Sequence, residues 1–260
     1  VKQEPTEETR KGSVGFPVVH DREGVKARSL LRFVSAVLLA AAIPLVSPTH
    51  SATAAPCSDI EVVFARGTAE PGGELGLTGV SFVEALRANA GGRSVGSYGV
   101  DYPASSDFAD RLAFARTVVE GIGDAQRRVE YLAANCPSSR IVLGGYSQGA
   151  ALAGFATGVG VPEGVLPEYE MYLPEPMAPE VAEHVAAVAL FGKPSDRFMA
   201  DADAPAVSVG APYKNKTIEL CIPSDNICDG SPLAQPNAAH SLYGINGMTI
   251  TAAQFAAQRF

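Results

Sequence analysis

The sequence predicts an α/β fold, a mostly parallel β-sheet with helices packed on both faces, and three observations carry that prediction. Short, wholly apolar runs at Ile60 to Ala65, Ile141 to Leu143 and Val185 to Phe191 have the pattern of strands buried on both faces. Stretches with helical spacing stand between such runs, so strand and helix alternate along the chain. Finally, Gly145-Tyr146-Ser147-Gln148-Gly149 leads from the second run into Ala150-Ala151-Leu152-Ala153, which is strand, tight turn and helix with a serine at the apex.

Composition bounds the rest. At 260 residues, 47% hydrophobic and 18% charged, the chain has ample length for one sizeable core, and one domain from Ala55 to Phe260 is expected. The formal net charge is −8, with no basic stripe and no aromatic-basic interleaving, which excludes a nucleic-acid partner. Residues 1–54 stand apart from that core. Val25 to Arg32 is a basic lead into an apolar run from Phe33 to Val46, and Ser51-Ala52-Thr53-Ala54-Ala55 offers a small-residue cleavage site after Ala54, the pattern of a secretory signal peptide. The apolar run is short and interrupted by Pro44, which argues against a membrane anchor. The polar stretch Val1 to Gly24 is foreign to such a signal, so translation is expected to start at Val25. Removing residues 1–54 takes away seven basic and five acidic groups, moving the net charge from −8 to −10.

Taken in order, Ile60 to Ala65 is the first strand and runs into Arg66-Gly67-Thr68. Glu70 to Gly79 reads as a Gly-rich loop, and Val80 to Ala88 as a helix stopped by Gly91 and Gly92. Ser94 to Tyr102 is a strand ended by Pro103. Ser105-Ser106-Asp107 supplies N-cap chemistry for a helix to Asn135, with a break expected at Gly121 and Gly123. Pro137 stops it, and the strand before Ser147 follows. Gly158 to Pro179 reads as an irregular surface excursion. Val181 to His184 is a short helix, Val185 to Phe191 and Lys216 to Cys221 are strands, and Thr249 to Arg259 is a final amphipathic helix.

The chemistry centres on the serine turn. A serine at the tip of a strained strand-to-helix turn exposes its hydroxyl, and Gly145 and Gly149 lack side chains that would crowd it. The unpaired amide of Gln148, at the start of the helix, points toward negative charge developing beside Ser147. Thr68, on the loop after the first strand, is the candidate for a second oxyanion amide; its other reading is a turn residue or helix cap. In folds with this elbow the catalytic groups follow the chain order Ser, acid, His. His20 and His50 fall in the leader and His184 precedes a strand, which leaves His240 as the base by elimination. Asp225, held between Cys221 and Cys228, is the favoured acid, with Asp229 the runner-up; an Asx turn in Pro223-Ser224-Asp225-Asn226 is the competing reading of Asp225.

Cys57, Cys136, Cys221 and Cys228 all lie beyond the leader, and four cysteines in an exported chain imply two disulfides with three possible connectivities. The simplest has Cys221 and Cys228 closing their own loop. On the loop-entropy account the long bridge then contributes about 4 kcal/mol and the short one about 2 to 3 kcal/mol. A zinc site is disfavoured by the C-x6-C spacing without a nearby histidine pair.

Ala65-Arg66-Gly67-Thr68-Ala69-Glu70, Cys136-Pro137, Gly144 to Ala150, Cys221…Asp225…Cys228 and His240-Ser241-Leu242-Tyr243-Gly244 together resemble the cutinase family, particularly its bacterial cutinase-like esterases, from Cys57 to the C-terminus. The resemblance implies a compact, lidless α/β-hydrolase with a five-stranded sheet, disulfides Cys57–Cys136 and Cys221–Cys228, a triad of Ser147, Asp225 and His240, and an oxyanion hole at Thr68 and Gln148. It implies a secreted serine esterase for short- to medium-chain acyl esters, lipids or polyesters, with no metal or organic cofactor, peripheral contact with lipid surfaces, and a monomeric state. The mixed Ala234-Gln235-Pro236-Asn237 stretch, Ser241 and the long 158–179 excursion depart from the fungal pattern. Both regions are expected to flank the acyl groove, against a preference for plant cutin. Rival readings are an acyltransferase or phospholipase acting on envelope lipids, an acetyl-polysaccharide esterase, and a non-catalytic lipid-binding protein.

Overall fold

The computed structural model describes residues 57–233 and 235–260; the expected leader, the signal segment and the first residues of the domain lie outside the described residues. Five strands, β1 (Ile60–Ala65), β2 (Val95–Gly99), β3 (Arg140–Tyr146), β4 (Val185–Phe191) and β5 (Thr217–Leu220), form one sheet in the order β2-β1-β3-β4-β5. Every pairing is parallel. The central strands are apolar on both faces because both are covered. Ile60, Val62, Phe64, Val142, Ala187, Ala189 and Phe191 pack against Phe82 and Leu86 of α1 (Gly76–Asn89) and Ala252, Ala253 and Ala256 of α7 (Met248–Ala257). The alternate residues Val63, Ala65, Ile141, Leu143, Val188 and Leu190 meet Ile122, Val129 and Leu132 of α2 (Arg111–Asn135) and Leu152 and Ala153 of α3 (Gln148–Ala156).

The chain leaves β1 for one edge of the sheet and returns past it to β3, so the order reverses between β1 and β3. In open parallel sheets that reversal leaves a crevice at the strands' C-terminal ends, where sites form. Thr68 follows β1 and Ser147 follows β3, and both sit at that edge.

Four local expectations are corrected. Helix α1 starts at Gly76 rather than Val80, after a 3-10 turn at Gly73–Leu75. The Glu70 carboxylate satisfies the orphan amide of Thr78 at 2.8 Å, so a side chain from the preceding loop caps the helix. Helix α2 begins after Asp110, whose side chain accepts from the Ala113 amide at 2.9 Å, while Ser105 and Asp107 shape the turn before it. It runs through Gly121 and Gly123 without a break. Gly121 is there for close approach: a Cβ would lie 2.4 Å from Leu152 Cδ1. The 158–179 excursion, irregular but for α4 (Pro167–Glu170), connects the far end of α3 to α5 (Val181–His184) and the start of β4. Its two ends therefore lie at the edge opposite Ser147. A short helix α6 (Asp196–Asp201), capped by Ser195, stands where no element was expected.

Two disulfides are formed, Cys57–Cys136 and Cys221–Cys228, with Cα separations of 5.7 and 5.8 Å. The first ties the entry to β1 to the end of α2; the second closes the loop that holds Asp225. Among the described residues no helix is long and apolar enough to cross a membrane, and no cluster of three His, Cys, Asp or Glu side chains is arranged to hold a metal ion.

Candidate active site

Ser147 occupies the turn between β3 and α3 with φ 55° and ψ −117°, a conformation that costs an L-residue about 1 to 3 kcal/mol. The surroundings enforce it. Ser147 N–H donates to the Phe191 carbonyl at 2.9 Å, and the Ala150 and Ala151 amides donate to the Ser147 carbonyl. A Cβ on Gly149 would lie 2.0 Å from the Ala65 carbonyl oxygen, and one on Gly145 2.1 Å from the Gly149 oxygen. The glycines of the motif are therefore a steric requirement of seating the turn against the end of β1.

The Ser147 hydroxyl stands 2.8 Å from His240 Nε2, and His240 Nδ1 stands 2.8 and 3.0 Å from the two oxygens of Asp225. Asp225 is fully buried and His240 nearly so, whereas Ser147 is partly exposed. The array thus runs from the interior to the surface. His240 lies on a 3-10 turn at Ala239–Leu242, and its carbonyl accepts from the Tyr146 hydroxyl at 2.7 Å. Asn237 stitches the histidine and aspartate loops together: its side chain accepts from the His240 amide and donates to the Ser224 carbonyl, while Asn226 donates to the Gln235 carbonyl.

Around Asp225, Oδ1 accepts from the Ile227 amide at 3.0 Å and Oδ2 from the Tyr243 hydroxyl at 2.6 Å. The Ile227 bond is itself an Asx turn, so the two readings of Asp225 are compatible. Burial pushes the carboxyl up, but the hydrogen bonds from His240, Tyr243 and Ile227 outweigh it and hold Asp225 below the ordinary carboxylate range. Asp229 is exposed and accepts from the Ser231 amide in a separate turn. His184, at the start of β4, lies at the opposite sheet edge.

Thr68 sits beside the serine turn, its hydroxyl donating to Gln148 Oε1 at 3.3 Å. The Gln148 amide, first in α3, has no intrahelical acceptor. The Thr68 loop is held by Glu70, which accepts from the Gly67 amide at 2.8 Å as well as from Thr78, and by the Ala69 amide donating to the Ala104 carbonyl at 2.9 Å. Arg66 and Tyr102 add reciprocal bonds, each side chain donating to the other's carbonyl. Two surface cavities, of about 490 Å³ between α1 and α7 and about 190 Å³ beside Cys221–Cys228, are lined by residues other than Ser147. Phe108, Leu112 and Leu233, on segments at the same sheet edge, are large, apolar and exposed.

Sequence reasoning brought Ser147, His240, Asp225, Thr68 and Gln148 forward, and the structure places them together. It missed Glu70, Tyr146, Asn237 and Tyr243. Glu70, Tyr146 and Tyr243 stood inside the quoted motifs, which was the available signal; Asn237 stood inside a stretch noted only as a departure from the fungal pattern beside the acyl groove.

A model of the cutinase family matches residues 56–260. The probable carboxylesterase Culp5 of Mycobacterium tuberculosis is 48% identical over 178 residues, 68% of this chain and 94% of that protein. Carboxylesterase Culp1 of the same species is 43% identical over 237 residues, covering 89% of this chain and 96% of that protein. Among solved structures, the Trichoderma reesei cutinase in complex with a C11Y4 phosphonate inhibitor superposes with a TM-score of 0.57 at 29% identity, covering 78% of this chain and 77% of that one.

Proposed function

Because the chain belongs to the cutinase family and is a carboxylic ester hydrolase, we propose that Ser147, His240 and Asp225 are the groups that carry out its ester hydrolysis. The observation that carries this is the continuous Ser147 Oγ–His240 Nε2, His240 Nδ1–Asp225 line at 2.8 Å for each link. His240 takes the Ser147 proton as the hydroxyl oxygen attacks the ester carbonyl carbon, and Asp225 holds the tautomer and stabilises the imidazolium. The carbonyl oxygen, now an anion, turns to the amides of Thr68 and Gln148. Collapse expels the alcohol, which receives the proton from His240, and leaves acyl-Ser147. Water then attacks, its proton going to His240, and the acid and free serine are released.

The partly exposed serine, with Phe108, Leu112 and Leu233 at its edge of the sheet, favours short- to medium-chain acyl esters and lipids presented at a surface. Two disulfides fit an oxidising compartment, and with the signal-like segment before Ala55 they support export of a monomeric domain from Ala55 to Phe260. The test is turnover of nitrophenyl esters from acetyl to palmitoyl, dispersed and in micelles, by the protein and its Ser147→Ala variant. Loss of turnover in the variant is expected, with rates that rise when the longer esters are micellar. Turnover surviving Ser147→Ala would reject the serine mechanism, and equal rates on both presentations would reject surface contact. Product analysis with an added alcohol separates hydrolysis from acyl transfer.

A further inference from the structure

We propose that Tyr243 is a positioning residue of the esterase, acting through Asp225: its hydroxyl anchors one carboxylate oxygen and sets how strongly that carboxylate supports a proton on His240. The inference rests on the reading of Ser147, His240 and Asp225 as the catalytic groups.

The geometry is a relay of donors. The Ile222 amide donates to the Tyr243 oxygen at 3.0 Å, and the Tyr243 hydroxyl donates to Asp225 Oδ2 at 2.6 Å. His240 Nδ1 stands 2.8 Å from that same oxygen. The Ile222 bond occupies an acceptor site on the phenol, which leaves its proton for Asp225, and a donor that is itself polarised by a donor binds more strongly. Oδ2 is therefore shared between a phenol and an imidazole, and charge drawn toward the phenol is withheld from the imidazolium. Tyr243 weakens Asp225 as a base while fixing where it points.

The fold gives Tyr243 little freedom. It is fully buried, edge-on to His240 with ring centroids 6.1 Å apart and to Phe191 at 6.4 Å, and tilted against Tyr146 at 5.6 Å. It lies three residues after His240 at the end of a 3-10 turn, a spacing that stacks the two side chains. Gly192, at the end of β4 with φ +56°, makes room for both: a Cβ there would lie 2.9 Å from the Tyr243 ring and 3.1 Å from the His240 ring. A phenylalanine would fill the same space, so the hydroxyl answers to its polar partners alone. The titratable groups around it are Asp225, His240 and Tyr146, with Glu70 acting in turn on Tyr146.

The experiment uses the full chain, with nitrophenyl butyrate as substrate. Kinetic constants and the pH profile of kcat/KM are measured for the parent, Tyr243→Phe, Asp225→Asn, the double variant and Ser147→Ala. For Tyr243→Phe we expect kcat about tenfold lower, the effect of one charge-assisted hydrogen bond, with KM unchanged. The acidic limb of the profile should move to higher pH, because His240 then faces a stronger base. In the Asp225→Asn background the same change should cost nothing further, since the tyrosine acts through that carboxylate. An unmoved limb, or the full loss repeated in the Asp225→Asn background, overturns the proposal. Should Tyr243→Phe not fold, 3-fluorotyrosine placed at 243 alone keeps the hydroxyl and makes it a stronger donor; the limb should then move to lower pH, and an unmoved limb again overturns the proposal. Turnover that survives Ser147→Ala defeats the underlying reading and this inference with it, whereas turnover lost in Ser147→Ala and unaltered in Tyr243→Phe defeats this inference alone.

Discussion

Replacing Asp225 by asparagine keeps the side chain's shape and removes its charge and one acceptor. Three donors surround the carboxylate: the Ile227 amide on Oδ1, the Tyr243 hydroxyl on Oδ2, and His240 Nδ1 within reach of both oxygens. An amide has one oxygen to offer. Turned toward Ile227, it presents its NH2 to Tyr243 and to His240 Nδ1, which must then accept; the ring proton moves to Nε2 and faces Ser147, so the serine has no base. Turned the other way, the NH2 confronts the Ile227 amide, and each buried donor left unpaired costs about 1 to 3 kcal/mol. The first arrangement leaves only the Tyr243 hydroxyl proton without its acceptor, whereas the second sets the Ile227 amide and the NH2 against each other as two unpaired donors, so the first is the one expected. A wrong tautomer in a serine triad lowers kcat by about 10⁴, or about 5 kcal/mol of transition-state stabilisation. The assay is kcat on nitrophenyl butyrate with thermal unfolding followed in parallel. A folded Asp225→Asn protein that keeps more than a tenth of the parent's kcat would refute the reasoning.

Three further outcomes are expected. Cys221→Ser with Cys228→Ser should lower unfolding free energy by about 2 to 3 kcal/mol and reduce kcat more than KM changes, because the bridge closes the loop that carries Asp225; urea titration and kinetics read both, and full activity would count against the coupling. Glu70→Gln should lower kcat by about tenfold or more with the Ser147–His240–Asp225 line intact, since a neutral amide replaces the charged acceptor of the Gly67 and Thr78 amides on either side of Thr68; an unchanged kcat would show that the loop holds without it. Asp225 is held below its ordinary value in the folded protein, so its stabilising contribution is complete above the unfolded carboxylate value of about 3.9 and is lost as pH falls through the lower folded value. Unfolding free energy should therefore decline below about pH 4, and less steeply in Asp225→Asn; equal slopes would assign the decline to other carboxylates.

Much of this was legible along the chain. The apolar runs of β1, β3 and β4 announce strands covered on both faces, and the glycines beside Ser147 announce a turn that a Cβ would block. What escaped reading was set by contacts across the chain. The start of α1 depends on Glu70 reaching Thr78, and the continuity of α2 through Gly121 depends on Leu152 lying against it. Local propensity favours a loop at the first place and a break at the second.

The sequence by itself determined the sheet's main strands and the serine elbow, because each of these is written in consecutive residues whose sterics and hydropathy act locally. Only the tertiary structure decided that Asp225 rather than Asp229 faces His240, that Asn237 joins their loops, and that Tyr243 shares a carboxylate oxygen with the histidine. Those arrangements depend on hydrogen bonds of 2.6 to 2.8 Å between groups brought together by the packing of β4, β5 and α7, and no spacing in the sequence encodes a distance of that kind.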